Sequence, residues 1–333
     1  MFVATERERR LLQLFPNGVP RLWCPTLTYF QSARTPDLPR IAQHLVRLAP
    51  DVRGILVPGS TGEGWEMSDT ETRDLLVGTL NAAHSAGMRV LVGLLKTETD
   101  AMLTALDGLA PLIDHPAFVG ITVCPPRGAE LTQTQLAGAL SQILERDLPT
   151  AIYQLPQITQ NELSPETVAA LAYTFPNFIL FKDTSGEDRV AASGLDLAGL
   201  FLLRGSERFG YAPWYKKAGG PYDGFLLSTA NCFAPQLGQM LDLLEVGQHA
   251  QADVLSRKIE AVVMEVFDIV KDFPHGNAFT NANKAIDHVL TFGPLVSQTA
   301  PPMLYNGHRL DTELIARVQS TINAADFLPT ARA

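Results

Sequence analysis

The sequence predicts an α/β protein, a (β/α)8 TIM barrel with additional C-terminal helices, and three observations carry that prediction. Short apolar runs rich in Val, Ile, Leu and Phe alternate about eight times with longer amphipathic stretches. The runs show no in/out alternation, as expected of parallel strands covered on both faces by crossover helices. The segment after the first run, QSARTPDLPR from residue 31, offers no G-x-G-x-x-G turn, so a closed barrel is expected rather than an open doubly wound sheet.

Taken in order, the expected strands are 19–30 (VPRLWCPTLTYF), 52–59 (VRGILVPG), 89–95 (RVLVGLL) and 118–125 (FVGITVCP). They continue with 150–156 (TAIYQLP), 178–183 (FILFKD), 201–206 (FLLRGS) and 222–228 (YDGFLLS). Helices fill the intervals, and two carry local start signals. Ser68 precedes DTETRDLL, and Ser164 precedes PETVAALA with a proline at the first helical position and early carboxylates. Beyond about residue 230 only helical periodicity remains, at 233–247, 250–272, 278–292 and 311–325. This divides the chain into a barrel at 16–247 and a helical extension at 248–333 packed upon it, with no Gly/Ser- or Pro-rich linker between them. Residues 1–15 read as a helix or a loose tail and receive no function.

Composition narrows the function. The chain has 333 residues, 46% of them hydrophobic, with a formal charge of -9. That balance supplies no basic field for a nucleic acid or an anionic membrane. Cys24, Cys124 and Cys232 lie far apart without C-x-x-C spacing, which argues against a disulfide framework and a zinc site. The N-terminal segment lacks the apolar core of a signal peptide, and no apolar run approaches the roughly 20 residues needed to span a bilayer. A cytoplasmic enzyme acting on small molecules is expected.

In a barrel of this kind chemistry gathers at the C-terminal ends of the strands. Strand two ends in Gly59-Ser60-Thr61-Gly62-Glu63, strand five carries Tyr153, and strand six ends in Lys182. Strand seven ends in Gly205-Ser206-Glu207 and strand eight in Ser228-Thr229. Lys182 closes the run Phe178-Ile179-Leu180-Phe181, where burial lowers an amine's pKa and exposes a neutral nucleophile suited to a Schiff base. A lysine so placed can equally snorkel past the rim or pair with Asp183, and Lys96 also ends an apolar run. Tyr153 can relay a proton or simply fill the barrel. The Gly59–Gly62 turn, with free N–H groups and two hydroxyls, suits a carboxylate. His275 and His288 read as surface or helix-contact residues, and Trp65 and Trp214 as packing or pocket walls.

GSTGE at 59–63, Y-x-x-P at 153–156, LSPETVAAL at 163–171 and FKDTSGE at 181–187, in this order, resemble the dihydrodipicolinate synthase and N-acetylneuraminate lyase family. The resemblance runs from about residue 20 to residue 300. It implies a metal-free and cofactor-free class I aldolase or lyase that holds pyruvate or a related 2-oxo acid as a lysine imine, commonly as a homo-oligomer (dimer or tetramer). By the same resemblance Lys182 is the imine lysine and Tyr153 the proton shuttle. Ser60 and Thr61 hold the 2-oxo acid's carboxylate, and Gly205 and Leu226 line the same pocket.

Departures bear on the second substrate. Ile158 stands where the synthases carry an arginine, and Cys124-Pro125-Pro126-Arg127-Gly128 replaces their tyrosine pair. Ser60, Ile158 and Thr184 resemble the sialic-acid lyase branch, in which Glu207 and Ser228 fall near positions that bind substrate hydroxyls. The branch's acidic pair is Glu207-Arg208 here. Arg127 offers a distal carboxylate contact or an ordinary solvated loop. The reading that follows is cleavage or formation of a 2-oxo-3-deoxy sugar acid, with pyruvate and an aldehyde as partners. Dehydration of a deoxy-oxo sugar acid, synthase-like condensation and a non-catalytic sugar-acid-binding barrel remain alternatives. A metal-dependent aldolase is disfavoured, since the seven histidines show no H-x-H or E-x-x-H spacing.

Overall fold

The structure, a computed structural model, describes residues 2–327. Eight parallel strands close into a barrel in which each pairs with the next and the last returns to the first. They are β1 (Leu22–Pro25), β2 (Gly54–Val57), β3 (Arg89–Leu94), β4 (Phe118–Val123), β5 (Thr150–Gln154), β6 (Phe178–Asp183), β7 (Phe201–Arg204) and β8 (Gly224–Leu226). Every expected strand is present.

The first run is shorter as a strand than its apolar length suggests. Only Leu22–Pro25 joins the barrel; beyond it a two-stranded hairpin forms from Phe30–Ser32 and Thr35–Pro36. Leu27, Tyr29 and Phe30 are buried all the same, because the C-terminal helices cover them: the Tyr29 hydroxyl donates to Asp287 Oδ2 at 2.7 Å. Apolarity there records burial under helices, not sheet.

Local chemistry starts the helices where the sequence places them. Ser68 and Glu71 form a reciprocal capping box at the head of Asp69–Ser85, and Ser164 accepts from Thr167 N ahead of Pro165–Thr174. After β8 come Ala230–Glu245, His249–Val270, Ala278–Phe292 and Thr312–Ala324, each within a turn of its expected span. Their apolar faces share one continuous core with the barrel's outer surface. Residues 328–333, the end of the expected extension, lie outside the described residues.

Residues 2–14 form a helix across the N-terminal mouth of the barrel. Leu11, Leu14 and Phe15 pack against the cluster that fills the barrel, which includes Trp23, Leu56, Leu91, Leu180, Leu203 and Leu226. Arg7 is buried and donates to Phe178 O at 2.7 Å, to Phe175 O at 3.0 Å and to the carbonyls of Ala172 and Ala198. Those carbonyls end a helix, start β6 and precede β7, so one guanidinium ties three segments together and supplies their backbone acceptors with a donor. Among the described residues no helix is long and apolar enough to cross a membrane.

Candidate active site

Lys182 and Tyr153 are cross-strand partners in the β5–β6 ladder, so both side chains leave the sheet on the same face. Lys182 is 4% exposed, and its Nζ lies 3.9 Å from the centroid of the Tyr153 ring. Among the described residues no carboxylate oxygen lies within ion-pairing distance of that nitrogen, Asp183 included. Burial in apolar surroundings pulls the ammonium from 10.5 down to about 7, against the weaker opposing pull of Cys124, Glu207 and Cys24. Burial likewise pushes the Tyr153 phenol up, while the neighbouring Ser60 hydroxyl pulls the other way.

The turn after β2 is built to present backbone N–H groups. Gly62 N and Gly64 N both donate to Gly59 O at 3.0 Å, and Glu63 N donates to Ser60 O at 3.1 Å. The amides of Ser60 and Thr61 take no part in this internal bonding. Gly62 is required for packing, since a Cβ there would stand 2.6 Å from Thr26 O. Thr280 Oγ1 donates to Thr61 O at 3.1 Å, and Asn277 Nδ2 donates to Ser60 O at 3.2 Å. Glu63, at 1% exposure, is ion-paired with Lys284, and its other oxygen accepts from Tyr305 N at 2.8 Å. Four groups from the C-terminal region, Asn277, Thr280, Lys284 and Tyr305, thus hold the turn in place.

The remaining site residues separate into two sets. Thr184 and Gly205 join Lys182 directly: Thr184 Oγ1 donates to Gln154 O at 2.6 Å, and a Cβ on Gly205 would meet Thr184 Cγ2 at 2.3 Å and Lys182 Cε at 2.7 Å. The lysine reaches the mouth only because residue 205 has no side chain. Glu207 and Ser228 are bonded to each other, Ser228 Oγ donating to Oε1 at 2.6 Å. The Glu207 carboxylate also accepts from Thr229 N at 3.0 Å, Thr229 Oγ1 at 2.6 Å and the Tyr211 hydroxyl at 3.0 Å. Leu226 lies in the apolar filling of the barrel.

Arg204 supports the loop that carries Gly205 and Glu207. It is fully buried and binds Asp188 through two nitrogens, at 3.1 and 3.2 Å, while its third donates to the carbonyls of Ser206, Arg208 and Gly210. An arginine inside the run FLLRGS is a signal of a buried partner, although the sequence does not say which one.

Above Tyr153, Cys124, Leu155, Trp65 and Ile158 form an apolar wall. It opens into a cleft of about 440 Å³ lined also by Lys96, Thr97, Glu98 and Arg127. Arg127 is tethered by its Nε to Ile158 O at 2.9 Å, and Lys96 is paired with Asp69 at 2.6 Å. Trp65 is more than a wall, because its Nε1 donates to Ser60 Oγ at 2.8 Å.

Residues 28–276 match the dihydrodipicolinate synthetase family. A 4-hydroxy-tetrahydrodipicolinate synthase of Xanthomonas campestris pv. campestris is 30% identical over 217 residues, covering 62% of this chain and 67% of that protein. One from Parasynechococcus marenigrum is 27% identical over 267 residues, 78% and 85% of the two chains. Among solved structures, a prophage protein of the dihydrodipicolinic acid synthase family from E. coli K12, in complex with pyruvate, superposes with a TM-score of 0.74 at 19% identity, covering 92% of this chain and 98% of its own. A 2-keto-3-deoxygluconate aldolase variant of Sulfolobus solfataricus gives 0.71 at 16% identity, with 92% and 96% covered. At such identities the likeness speaks to the fold.

Proposed function

The chain belongs to the dihydrodipicolinate synthetase family, and on that premise we propose that it is a class I aldolase that cleaves or forms a 2-oxo-3-deoxy sugar acid through an imine on Lys182. The observation that carries this reading is the unpaired, buried amine, lowered to about 7, over the ring of Tyr153, whose phenol neighbours Ser60 of the turn with free amides. The neutral amine adds to the ketone carbon of the 2-oxo acid, and Tyr153 protonates the departing hydroxyl so that water leaves. The protonated imine then withdraws electrons from the neighbouring carbon–carbon bond. As that bond breaks, the phenolate takes the proton of the hydroxyl that becomes the aldehyde. Tyr153 returns a proton to the enamine carbon, and water releases pyruvate and the free lysine. The Ser60 and Thr61 amides hold the carboxylate throughout.

Ile158 distinguishes this proposal from synthase-like condensation. Its side chain sits in the apolar wall with Trp65, so the position contributes no cation, and the guanidinium of the adjoining cleft belongs to Arg127. The cleft receives the distal part of the sugar acid, with Arg127 as the contact for a terminal carboxylate. Glu207 and Ser228 border the polyol side, in the manner of N-acetylneuraminate lyases. Residues 16–247 form the catalytic unit, buttressed by 248–333, in a cytoplasmic assembly of two or four chains. The synthase alternative draws support from the names of the two curated relatives.

Incubation with pyruvate and borohydride, followed by peptide mass analysis, is expected to place a reduced pyruvate adduct on Lys182; an unmodified lysine sinks the mechanism. Pyruvate release across a panel of 2-oxo-3-deoxy sugar acids, N-acetylneuraminate included, identifies the substrate. Consumption without pyruvate points to dehydration, and tight binding without turnover to a non-catalytic barrel.

A further inference from the structure

We propose that Trp65 is a positioning residue for proton transfer at Tyr153, acting through the Ser60 hydroxyl. The inference rests on the imine reading above and follows from counting donors. An indole N–H can only donate, so the 2.8 Å contact with Trp65 Nε1 makes Ser60 Oγ the acceptor and leaves the serine's own proton free. On the other side a carbonyl can only accept, so the 2.6 Å contact with Gln154 O commits the proton of Thr184 Oγ1. Tyr153 has both hydroxyls as hydrogen-bonding neighbours. With Ser60 left as a donor and Thr184 as an acceptor, we infer one direction through Tyr153: indole to serine, serine to tyrosine, tyrosine to threonine, threonine to carbonyl. Each bond polarises the next, and a serine that is itself receiving a hydrogen bond is the stronger donor.

That direction matters at the step where Tyr153 has given up its proton. The phenolate then needs a donor, and Ser60, whose own proton is uncommitted, is the neighbouring hydroxyl able to supply one. Thr184 can serve only by abandoning Gln154 O. Trp65 thus holds ready the one donor that requires no rearrangement. Because the indole cannot surrender its own proton, the chain of bonds stops there and is completed by residues of a single chain. The charged and titratable groups facing Tyr153 are Lys182 at its ring face and Cys124 just after β4, with Glu207 and Cys24 acting on Lys182 in turn. Trp65 adds no charge to this set, so its effect is directional.

The test uses pyruvate alone, since exchange of its methyl hydrogens for deuterium requires the imine, then transfer of a methyl proton to the Tyr153 phenolate. Trp65→Phe keeps the aromatic wall and removes the N–H. The pH at which exchange accelerates is expected to move up by about 0.5–1 unit, with a roughly three- to tenfold slower rate at neutral pH. KM for pyruvate should stay within about twofold, which separates this role from simple packing. Ser60→Ala removes the acceptor and should move the limb in the same direction. Trp65→Phe on that background should add nothing, and Trp65→His, which keeps a ring N–H, should restore most of the rate. A Trp65→Phe profile that overlays the parent's, or effects of the two variants that add independently, overturns the proposal. Should Trp65→Phe not fold, the Ser60→Ala profile decides alone, an unmoved limb overturning it. Failure of the parent protein to form a borohydride-reducible imine overturns the imine reading itself, a result distinct from an imine that forms with an unmoved limb.

Discussion

Lys182 Nζ stands 3.9 Å from the centre of the Tyr153 ring, held there by a register that pairs the two residues across adjacent strands. Lys96 supplies the contrast: it too ends an apolar run, yet its nitrogen is paired with Asp69 at the surface. A ring face favours a cation by about 0.5–2 kcal/mol, which offsets only part of the cost of burying the charge. The balance leaves an amine that is neutral for much of the time near pH 7.

The first prediction concerns the stability cost of that amine. Its folded value of about 7 lies below the ordinary 10.5, so the unfolded chain binds the extra proton between those limits and stability rises with pH across them. Lys182→Met should therefore stabilise the protein by an amount on the order of a few kcal/mol. The gain is full below pH 7 and fades as pH rises towards the ordinary lysine value. Denaturant midpoints of parent and variant at about pH 6 and about pH 10 check this; a gain that does not change with pH contradicts it.

Gly205→Ala tests whether the lysine's path is a requirement. The added methyl meets Thr184 Cγ2, which its bond to Gln154 O holds in place, and backbone Asp183 O at 3.3 Å, so the flexible Lys182 stem, met at Cε, gives way and the nitrogen is displaced. A displacement of about 1 Å corresponds to a loss of about 100-fold in the rate of imine reduction with pyruvate. A parent-like rate would mean that the amine reaches its target by another route.

The buried pair of Glu63 and Lys284 links the carboxylate turn to the C-terminal helix. Lys284→Met leaves a buried carboxylate without its partner and should cost about 3–5 kcal/mol. It should also raise the KM for pyruvate, because the turn loses its anchor. Restoring neutrality with Glu63→Gln in the same chain should recover part of the stability. Equal stability of the single and double variants would count against a coupled pair.

Arg7 makes a prediction about the barrel's closed end. Arg7→Met keeps the apolar stem and strips donors from the carbonyls of Ala172, Phe175, Phe178 and Ala198. Hydrogen bonds from a charged donor contribute about 1.5–3 kcal/mol each, though never additively, so a loss of about 2–4 kcal/mol in chemical denaturation is expected. Imine formation at the opposite mouth should be unaffected in the folded fraction; a selective loss of that chemistry would reveal coupling along the barrel.

Much of the architecture was legible because hydrophobic period is a local property. Runs such as FILFKD and RVLVGLL announce buried strands, and Ser68 and Ser164 announce helix starts, without reference to anything distant. The first run, 19–30, misled for the same reason: its residues are buried, but beyond Pro25 against helices that arrive some 200 residues later. At residues 2–14 the sequence left a helix and a loose tail both open, and the docking of that helix was not legible, since Arg7 in ATERERR resembles any solvated charge until four carbonyls converge on it.

The sequence by itself determined a parallel barrel, the rim on which its polar residues gather, and the presence of a lysine at the end of an apolar strand. Tertiary structure alone decided which strand-end lysine is unpaired, that Glu207 spends its oxygens on Ser228, Thr229 and Tyr211, and that Trp65 is bonded to Ser60. The division has a physical cause. Burial follows from periodicity within a dozen residues, whereas the partner of a buried charge or hydroxyl is whichever group the closing of the barrel brings within about 3 Å of it.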